Sequence, residues 1–598
     1  MIKKFFDQIN KFPILFLVLI FPLAAFSQTR IIMDGEFSDW DSLFPVHQDP
    51  SGDMNNGAID FGKIWMSNDD EYLFIRIELG DEINLQDLND IHMYLDTDNN
   101  NATGMQINTI GAELVWHFGG RNGQFYFGSN ITGIRHSNIG IVTAPTVSSN
   151  EFEIVLNRTA KPFQEFELFT QESIKIQFAN GSENTDFLPD LGQTISYEFT
   201  SQTSTELPPI YVEKQDDNHL RILSYNVERD GLFAISKKVA YSRILGAIEP
   251  EIIGFQEIYS NTAAQTAQLI GTMLPLPTGQ NWHAAKIDPY IIAVSQYPIK
   301  SSYSIQNNGA FIIDLRPKHN SDLLFIVAHP PCCDNNQGRQ FEIDAIMAFI
   351  RDAKTPGGRL DIAPNTPIII VGDMNLVGFA QQLKTLLTGD ILFTGQFGAA
   401  FAPDWDESDL SKLFPMQVES PFVFTWWDAN SSFSPGKLDY IVFTDSVLEP
   451  ENGFVLFTPA LSSNSLSSYG LVFDDTIEAS DHLPVVGDFS LKITTDVKDE
   501  NDVQVPNNFK LEQNYPNPVF SSTTILITLD KKAKVDLSIY NMQGQLIRKL
   551  ITGELTKGPY EFNWNGTDSS SKPVGNGRYF YRLTVDGKKV QNQMILMR

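Results

Sequence analysis

Eight polar residues in the middle of the chain each stand at one end of an apolar run. Asn226 follows the run 222–225, and Glu257 closes the run that begins at residue 252. Short apolar runs bounded by polar residues are typical of buried strands. Because strand ends converge on one crevice in layered α/β folds, we expect the eight side chains to meet there. They are Asn226, Glu257, His329, Asp373, Asn375, Asp439, Asp481 and His482.

This combination of carboxylates, amides and imidazoles suits metal-assisted phosphate chemistry. Carboxylate and amide oxygens are hard ligands that bind Mg²⁺ or Mn²⁺. A bound cation neutralises phosphoryl oxygens, while imidazoles exchange protons with the nucleophile and the leaving group. The residues therefore predict a metal-dependent hydrolase that acts on phosphate esters.

The elements that must position these residues alternate between strands and helices. Strand-like runs lie at 222–225, 252–255, 323–328 and 368–371, and helix-like stretches lie at 341–351 and 380–387. This alternation predicts a layered α/β domain over residues 219–491.

The flanking segments have a different pattern of apolar and polar residues. Residues 30–200 alternate apolar and polar side chains between turn residues, which predicts an antiparallel β-sandwich. Two polar segments, 201–218 and 492–508, are interpreted as linkers. Residues 509–598 return to β texture and predict a small immunoglobulin-like β-sandwich. The predicted fold class is therefore multidomain.

Bulk composition sets broad limits. A chain of 598 residues exceeds one compact core, and its net charge of -30 does not favour passive binding to nucleic acid or to anionic membranes. The only cysteines, Cys332 and Cys333, are adjacent, so no disulfide framework holds the fold.

The N-terminus has the pattern of a signal peptide. Lys3 and Lys4 precede the apolar run 12–26, and Ser27 ends a cleavage-like sequence. We therefore expect residues 1–27 to be removed. No later segment is long and apolar enough to predict a transmembrane helix.

The central motifs also occur in a familiar order. Segments 224–227 (SYNV), 254–257 (GFQE), 372–375 (GDMN), 438–441 (LDYI) and 480–482 (SDH) resemble those of the endonuclease/exonuclease/phosphatase superfamily. That superfamily includes deoxyribonucleases, neutral sphingomyelinases and inositol polyphosphate phosphatases. The resemblance covers roughly residues 219–491 and implies a deoxyribonuclease-like α/β sandwich with two layered sheets.

The resemblance implies the metal ligands. Glu257 would be the principal ligand, and Asn226 and Asp481 would complete the metal and phosphate environment.

It also implies catalytic roles. Asp373 would align or deprotonate the attacking water, and Asn375 would hold a phosphoryl oxygen. His482, oriented by Asp439, would face the scissile phosphate. His329 would protonate the leaving oxygen or stabilise its charge, although the two prolines after it depart from the family pattern and no carboxylate partner for it is evident from the sequence.

Trp426 and Trp427 precede the LDYI motif. Aromatic side chains at this place could stack on a base or a sugar of the substrate, or could belong to the core. Both interpretations stay open.

The N-terminal segments 33–40, 65–70 and 95–104 resemble family nine carbohydrate-binding modules, which implies a glycan partner. A plain structural role is the alternative. Asp96, Asp98 and Asn100 alternate as Ca²⁺ ligands do, but a metal-free turn rich in Asp and Asn would use the same residues.

The C-terminal segments 511–518, 535–540 and 577–582 resemble the sorting domain of Bacteroidetes type nine secretion cargo. This resemblance implies export by the type nine machinery to the medium or the cell surface. A simple adhesive β-domain is the alternative.

Three hypotheses of function follow. The first is a secreted nuclease that cleaves phosphodiester bonds in extracellular nucleic acid. The second keeps the chemistry but changes the substrate to a phospholipid, sphingomyelin or a sugar phosphate. The third is a carbohydrate-binding adhesin whose central domain is inactive.

Overall fold

The computed structural model describes residues 30–53, 59–181, 186–201, 207–287, 289–492, 509–517, 519, 522–541, 545–570, 572–586 and 588–596. The predicted signal peptide (1–27) and residues 493–508 of the second predicted linker lie outside these ranges. The chain divides into two compact units, Met1–Thr494 and Thr495–Arg598. None of the described helices is long and apolar enough to span a membrane.

The N-terminal part of the first unit consists of two antiparallel sheets with strand orders β1-β2-β3-β11-β10 and β13-β12-β4-β7-β8-β9, the second also including β14, which pairs with β12. Their elements are β1 (His47–Gln48), β2 (Phe61–Asn68), β3 (Tyr72–Ile83), β4 (Ile91–Asp96), β5 (Met105–Ile107), β6 (Ile110–Ala112), β7 (Leu114–His117), β8 (Asn122–Phe127), β9 (Asn130–Ile134), α1 (His136–Ile139), β10 (Val142–Ala144), β11 (Ser149–Asn157), β12 (Ser173–Asn180), β13 (Asp186–Leu188) and β14 (Ile195–Glu198), with β5 and β6 forming a separate hairpin.

The alternating pattern of these strands builds one shared core. Ile75 and Ile154 from the first sheet pack in the same apolar cluster as Met93 and Ile176 from the second. Successive strand residues point to opposite faces, so each sheet buries one face against the other.

The central part contains two mixed sheets with strand orders β17-β18-β16-β15-β27-β26-β24 and β19-β20-β21-β22-β25-β23. Its elements are β15 (Leu220–Asn226), α2 (Lys238–Ile248), β16 (Ile252–Gln256), α3 (Ala263–Met273), β17 (His283–Ile287), β18 (Ile291–Ser295), β19 (Ile299–Ile305), β20 (Asn308–Asp314), α4 (Arg316–His319), β21 (Asp322–Ala328), α5 (Asn336–Lys354), β22 (Ile368–Asp373), α6 (Ala380–Thr388), α7 (Thr394–Phe397), β23 (Ser411–Lys412), β24 (Met416–Gln417), β25 (Asp439–Phe443), β26 (Leu448–Val455), α8 (Ser463–Tyr469), α9 (Asp475–Ala479) and β27 (Val485–Leu491).

The two central sheets face each other. Ile222 and Ile252 of the first sheet share an apolar cluster with Val327 and Val371 of the second. Gly254 permits this close approach, because a Cβ there would lie 2.6 Å from a methyl group of Val371. Helix α2 covers the outer face of the first sheet and α5 that of the second. The apolar runs predicted as buried strands are therefore buried from both sides.

The N-terminal sheets also share apolar packing with the central part. Met33, Trp65 and Phe74 lie in the same buried cluster as Phe422 and Phe424. Val212, inside the first predicted linker, is fully buried in the core beneath α2. The predicted boundaries at 200 and 219 stay predictions, but β14 ends at Glu198 and β15 begins at Leu220.

The second unit is a small β-structure with sheets ordered β28-β29-β32 and β31-β30-β33-β34. Ile525 and Ile527 of one sheet share a core with Leu537 and Leu583 of the other. The strands are β28 (Phe509–Leu511), β29 (Thr523–Leu529), β30 (Ala533–Asn541), β31 (Leu546–Leu555), β32 (Gly558–Trp564), β33 (Gly577–Val585) and β34 (Lys588–Leu596).

Candidate active site

Two pairs of parallel strands bring the predicted residues to one edge. In the first sheet Asn226 pairs with Gln256, so Glu257 emerges beside Asn226. In the second sheet Ala328 pairs with Gly372, so His329 and Asp373 emerge together. Because the two sheets face each other, the two pairs meet between them.

Local backbone geometry directs these side chains inward. Gly372 has a φ of 145°, and a Cβ there would lie 1.9 Å from the carbonyl oxygen of Ala328. Only glycine fits this position immediately before Asp373. Glu257 adopts a left-handed φ of 66°, which turns the chain at the strand end, and its Oε2 accepts the Arg229 amide at 2.9 Å.

Four nitrogen donors converge on one oxygen, Asp373 Oδ2. Asn226 Nδ2 and Asn375 Nδ2 each lie 3.1 Å away, His329 Nε2 lies 3.3 Å away and His482 Nε2 lies 3.4 Å away. Asp373 is 2% exposed, so these contacts are sheltered from water. The arrangement forms a pocket of donors around a single negative oxygen.

The charged groups in this pocket favour one another's ionised forms. Burial alone would raise the pKa of Asp373, but the two imidazoles hold that pKa below its ordinary value. Burial would likewise lower the pKa of His329, yet its hydrogen bond to Asp373 raises it. The carboxylate is therefore ionised, and His329 favours its protonated form.

His329 has the carboxylate partners that the sequence did not reveal. Its Nε2 faces Asp373 at 3.3 Å and Glu257 at 3.8 Å. Its backbone amide donates to Asn308 Oδ1 at 2.7 Å, and the Tyr290 ring packs edge-on against it at 5.1 Å. Asn308, at the start of β20, and Tyr290, just before β18, were missed because neither stands in a recognisable motif.

His482 and Asp439 form a buried pair. His482 Nδ1 lies 2.8 Å from Asp439 Oδ2, and Asp439 lies directly opposite Asp373 in the β22–β25 register. Burial lowers the pKa of His482, but the carboxylates of Asp439 and Asp373 outweigh it and raise that pKa to about 10. Thr425 Oγ1 accepts the Asp439 amide at 2.8 Å and fixes the start of β25.

Asn375 connects two loops of the site. Its Nδ2 donates to the Pro330 carbonyl at 3.0 Å as well as to Asp373, and its own φ is 49°. The two prolines after His329, which depart from the family pattern, are thereby tied to the strand end that carries Asp373.

Asp481 and the two tryptophans lie beside this centre. Asp481 Oδ2 accepts the Trp426 indole N–H at 3.1 Å, and Ser480 Oγ donates to the Asn226 carbonyl at 2.9 Å. Trp427 is partly buried and packs on Phe457 with ring centroids 5.8 Å apart. Both indoles therefore have structural partners, and their contact with substrate stays a prediction.

The donor set suits a divalent cation. Among the residues that the structure describes, no lysine or arginine forms an ion pair with Glu257, Asp373, Asp439 or Asp481. Ligand atoms of Asp373, Asp439 and His482 also lie within 4.8 Å of one another. A cation held by Glu257 and Asp481 would supply the missing positive charge. Asn226 lies beside Glu257, with its Nδ2 3.2 Å from Glu257 Oε1, while its Oδ1 accepts the Glu228 amide at 3.1 Å, and its place in the metal environment stays a prediction.

The loops beside the site are held by the N-terminal sheets. Asn84 Nδ2 donates to the Val377 carbonyl at 2.6 Å, and the Ser148 amide donates to the Gly378 carbonyl at 2.7 Å. His136 Nε2 lies 3.0 Å from the Asp428 carbonyl on the loop that follows Trp427.

The predicted calcium ligands lie apart from this centre. Oxygens of Asp96 and Asp98 lie within 4.8 Å of Glu113, which sequence reasoning missed. The side-chain oxygen of Asn100 accepts the Ala102 amide at 3.1 Å. One oxygen each of Asp96 and Glu113 is buried without a hydrogen-bond partner.

A buried carboxylate–imidazole centre at strand ends between two facing sheets is suited to the hydrolysis of phosphate esters. Residues 223–482 match the model of the Endonuclease/Exonuclease/phosphatase family, and residues 519–589 match that of the FlgD Ig-like domain. The central part is thus an endonuclease/exonuclease/phosphatase domain, and the protein hydrolyses phosphate esters. The second unit carries an immunoglobulin-like domain.

Solved structures resemble this chain only distantly. ANGEL2, a 2',3'-cyclic phosphatase in complex with adenosine-2',3'-vanadate, is 13% identical, with 46% of this chain and 97% of that chain covered and a TM-score of 0.31. Sphingomyelinase C from Streptomyces griseocarneus is 14% identical, with 45% and 99% covered and a TM-score of 0.28. Beta toxin from Staphylococcus aureus is 16% identical, with 45% and 99% covered and a TM-score of 0.27. A comparison with curated proteins returned no match.

Proposed function

We propose that the protein is a secreted, metal-dependent nuclease that hydrolyses phosphodiester bonds in extracellular nucleic acid. The observation that carries the chemistry is the convergence of four nitrogen donors on Asp373 Oδ2. Donors spaced around one anionic oxygen can equally receive the oxygens of a phosphate group.

The residues act in sequence when a phosphate enters. His482 Nε2 and Asn375 Nδ2 donate to phosphoryl oxygens, which relieves Asp373 of two of its donors. Asp373 then orients the attacking water and takes its proton as the new P–O bond forms. The P–O bond to the leaving oxygen breaks as the bond to water forms, and His329 Nε2 gives a proton to that leaving oxygen. Asp439 keeps His482 in the orientation and charge state that the phosphate requires.

Mg²⁺ or Mn²⁺ is the proposed cation, held by Glu257 and Asp481 with Asn226 beside them. When bound, such a cation withdraws charge from the phosphoryl oxygens.

Aromatic side chains at the rim favour a substrate that contains bases. Tyr259 is 43% exposed, and its ring lies 5.2 Å from Tyr290, which in turn packs against His329. Stacking of a base on an exposed aromatic ring is common to proteins that bind single strands. Arg229 is exposed beside Glu257 and offers a contact for a neighbouring phosphate.

A phospholipid or sphingomyelin substrate is the second candidate. Phe379 is 60% exposed immediately after the loop that carries Asn375. An exposed phenyl ring near the cleft is suited to contact with an acyl chain or membrane surface.

The full chain should be assayed with Mg²⁺ and with Mn²⁺ on plasmid DNA, RNA, sphingomyelin vesicles and a chromogenic phosphodiester. His482→Ala tests the centre, and Asp474→Asn, at an exposed acidic residue of the same domain, is the matched control. Cleavage of DNA or RNA that is lost with EDTA and with His482→Ala supports the nuclease. Hydrolysis of sphingomyelin with intact nucleic acid favours the second candidate, and silence on all four substrates refutes both.

The flanking parts carry further proposals. The predicted signal peptide and the C-terminal segment, which resembles type nine sorting domains, support the proposal of export to the medium or cell surface. Cell fractionation of the producing bacterium, with and without residues 509–598, tests this localisation.

The N-terminal sheets are proposed to bind a glycan, with Ca²⁺ at Asp96 and Asp98. A glycan array in calcium or EDTA tests that binding.

A further inference from the structure

A second group of carboxylates lies on the N-terminal sheets, away from Asp96 and Asp98. Oxygens of Asp49, Asp53 and Asp186 lie within 4.8 Å of one another. Asp49 directly follows β1, and Asp186 begins β13. Strands β1 and β13 are the edge strands of the two different sheets, so this group joins their borders.

Asp49 is buried in an arrangement that lacks a partner. It is 3% exposed, and neither of its carboxylate oxygens accepts a hydrogen bond. The nearest basic group is His47, whose Nε2 lies 4.0 Å from Asp49 Oδ1. A buried carboxylate normally has hydrogen bonds or a counter-charge, because isolation from water is costly.

The neighbouring negative charges make ionisation of Asp49 in this buried position still less favourable. Asp186 is 5% exposed, with its oxygens fixed by the amides of Phe61 and Phe187. Burial and the negative charges of Asp186 and Asp53 raise the pKa of Asp49 to about 8. Burial likewise raises the pKa of Asp186 to about 6.

We infer that Asp49, Asp53 and Asp186 bind a calcium ion that clamps the edges of the two N-terminal sheets together. Calcium takes oxygen ligands at roughly 2.3–2.6 Å in flexible geometry, so oxygens that lie within 4.8 Å of one another can share one ion. Magnesium demands near-ideal octahedral geometry and usually keeps several waters, so a buried carboxylate group between two sheet edges suits calcium better. Water and backbone carbonyls complete calcium shells in many proteins, so three carboxylates are a sufficient anchor.

This inference is independent of the proposed nuclease function, because the group belongs to the N-terminal sheets and contains none of the catalytic residues. It predicts that Asp49→Asn changes the melting temperature in opposite directions without and with calcium. Without calcium, Asp49→Asn removes a carboxyl group that is costly to ionise in this buried position, and the melting temperature rises at pH values where that group is charged. With calcium, the same substitution removes a ligand and lowers the melting temperature relative to the wild-type protein.

The experiment uses the full chain in EDTA and in millimolar CaCl₂, with melting followed by circular dichroism and bound ⁴⁵Ca measured by equilibrium dialysis. Asp53→Asn is the second variant, because Asp53 is exposed and its substitution leaves packing intact. Asp70→Asn, at an exposed residue of the same sheets outside any such group, is the matched control. Asp98→Asn accounts for calcium at the other carboxylate group.

We expect Asp49→Asn to bind one calcium ion fewer than the wild-type protein, and Asp53→Asn to bind it at least tenfold more weakly. The calcium-induced rise in melting temperature should shrink in both variants and persist in Asp70→Asn and Asp98→Asn. Wild-type calcium stoichiometry and affinity in Asp53→Asn would overturn the inference, whether or not Asp49→Asn folds. An equal calcium-induced rise in every variant would overturn it as well.

Discussion

The pairing of Asp439 with His482 gives the sharpest test of the catalytic centre. Asp439→Asn keeps the shape of the side chain but removes the charge that lies 2.8 Å from His482 Nδ1. The variant should fold, because asparagine has the same shape as aspartate and its side-chain oxygen can still accept from His482 Nδ1. His482 would then lack the carboxylate that fixes its orientation and holds its proton.

The size of the effect follows from burial. Asp439 is fully buried and His482 is 6% exposed, so solvent does not replace the lost charge. Removing one partner of a buried ionic pair typically costs about 3–5 kcal/mol. If the transition state loses that stabilisation, kcat should fall by roughly 150- to 5,000-fold, at about 1.36 kcal/mol for each tenfold change. The KM should change little, since the pair acts on the reacting phosphate.

The assay is steady-state hydrolysis of the chromogenic phosphodiester by the full chain, with melting temperature as the check on folding. Asp474→Asn makes the same chemical change at an exposed site and should retain full activity. If Asp439 acts through His482, the double variant with His482→Ala should be no slower than His482→Ala alone. A folded Asp439→Asn protein that keeps more than a third of wild-type kcat would refute this account of the pair.

Three further outcomes are expected. Tyr259→Ala should raise the KM for oligonucleotides by roughly five- to 150-fold, the loss of one stacked base, and leave the chromogenic diester unaffected in a parallel assay. Asn84→Ala removes the hydrogen bond to the Val377 carbonyl and should lower kcat severalfold with a Tm change of only a few degrees, whereas a large fall in Tm with unchanged kcat would contradict a positioning role. Arg221→Met leaves the buried Asp488 carboxylate without the guanidinium that now binds it through two bonds of 2.6 Å, and urea unfolding should show a loss of about 3–5 kcal/mol.

The strand ends of the central domain were predictable from sequence for a physical reason. His329 follows an uninterrupted apolar run, and Asn226 and Asp373 follow runs broken only by Ser224 and Gly372; such runs have few fates other than a buried strand. Parallel pairing then leaves little freedom in where the following residue emerges. The prediction that these side chains share one crevice is met in the geometry around Asp373 Oδ2.

The partners of those residues were not predictable in the same way. His329 meets Asp373 across 44 positions of sequence, and Asn226 meets it across 147. The direction of an amide or imidazole depends on loop backbone, such as the left-handed residues Glu257 and Asn375, and not on residue type alone. A motif identifies the residues of the site, but only the fold determines which of their atoms are in contact.

The packing of the N-terminal sheets against the catalytic domain could not be predicted from the sequence, because many of its contacts are to main-chain carbonyls. Asn84, His136 and the Met33 amide contact the carbonyl oxygens of Val377, Asp428 and Pro421. Every residue offers the same carbonyl, so no pattern in the catalytic domain reveals the contact. Two of those carbonyls lie on loops that follow Asn375 and Trp427, and a side chain that holds them restricts the movement of the loops around the cleft. The change in sequence pattern near residue 200 therefore marks a change of architecture. Residues before that point nevertheless contact the loops around the cleft.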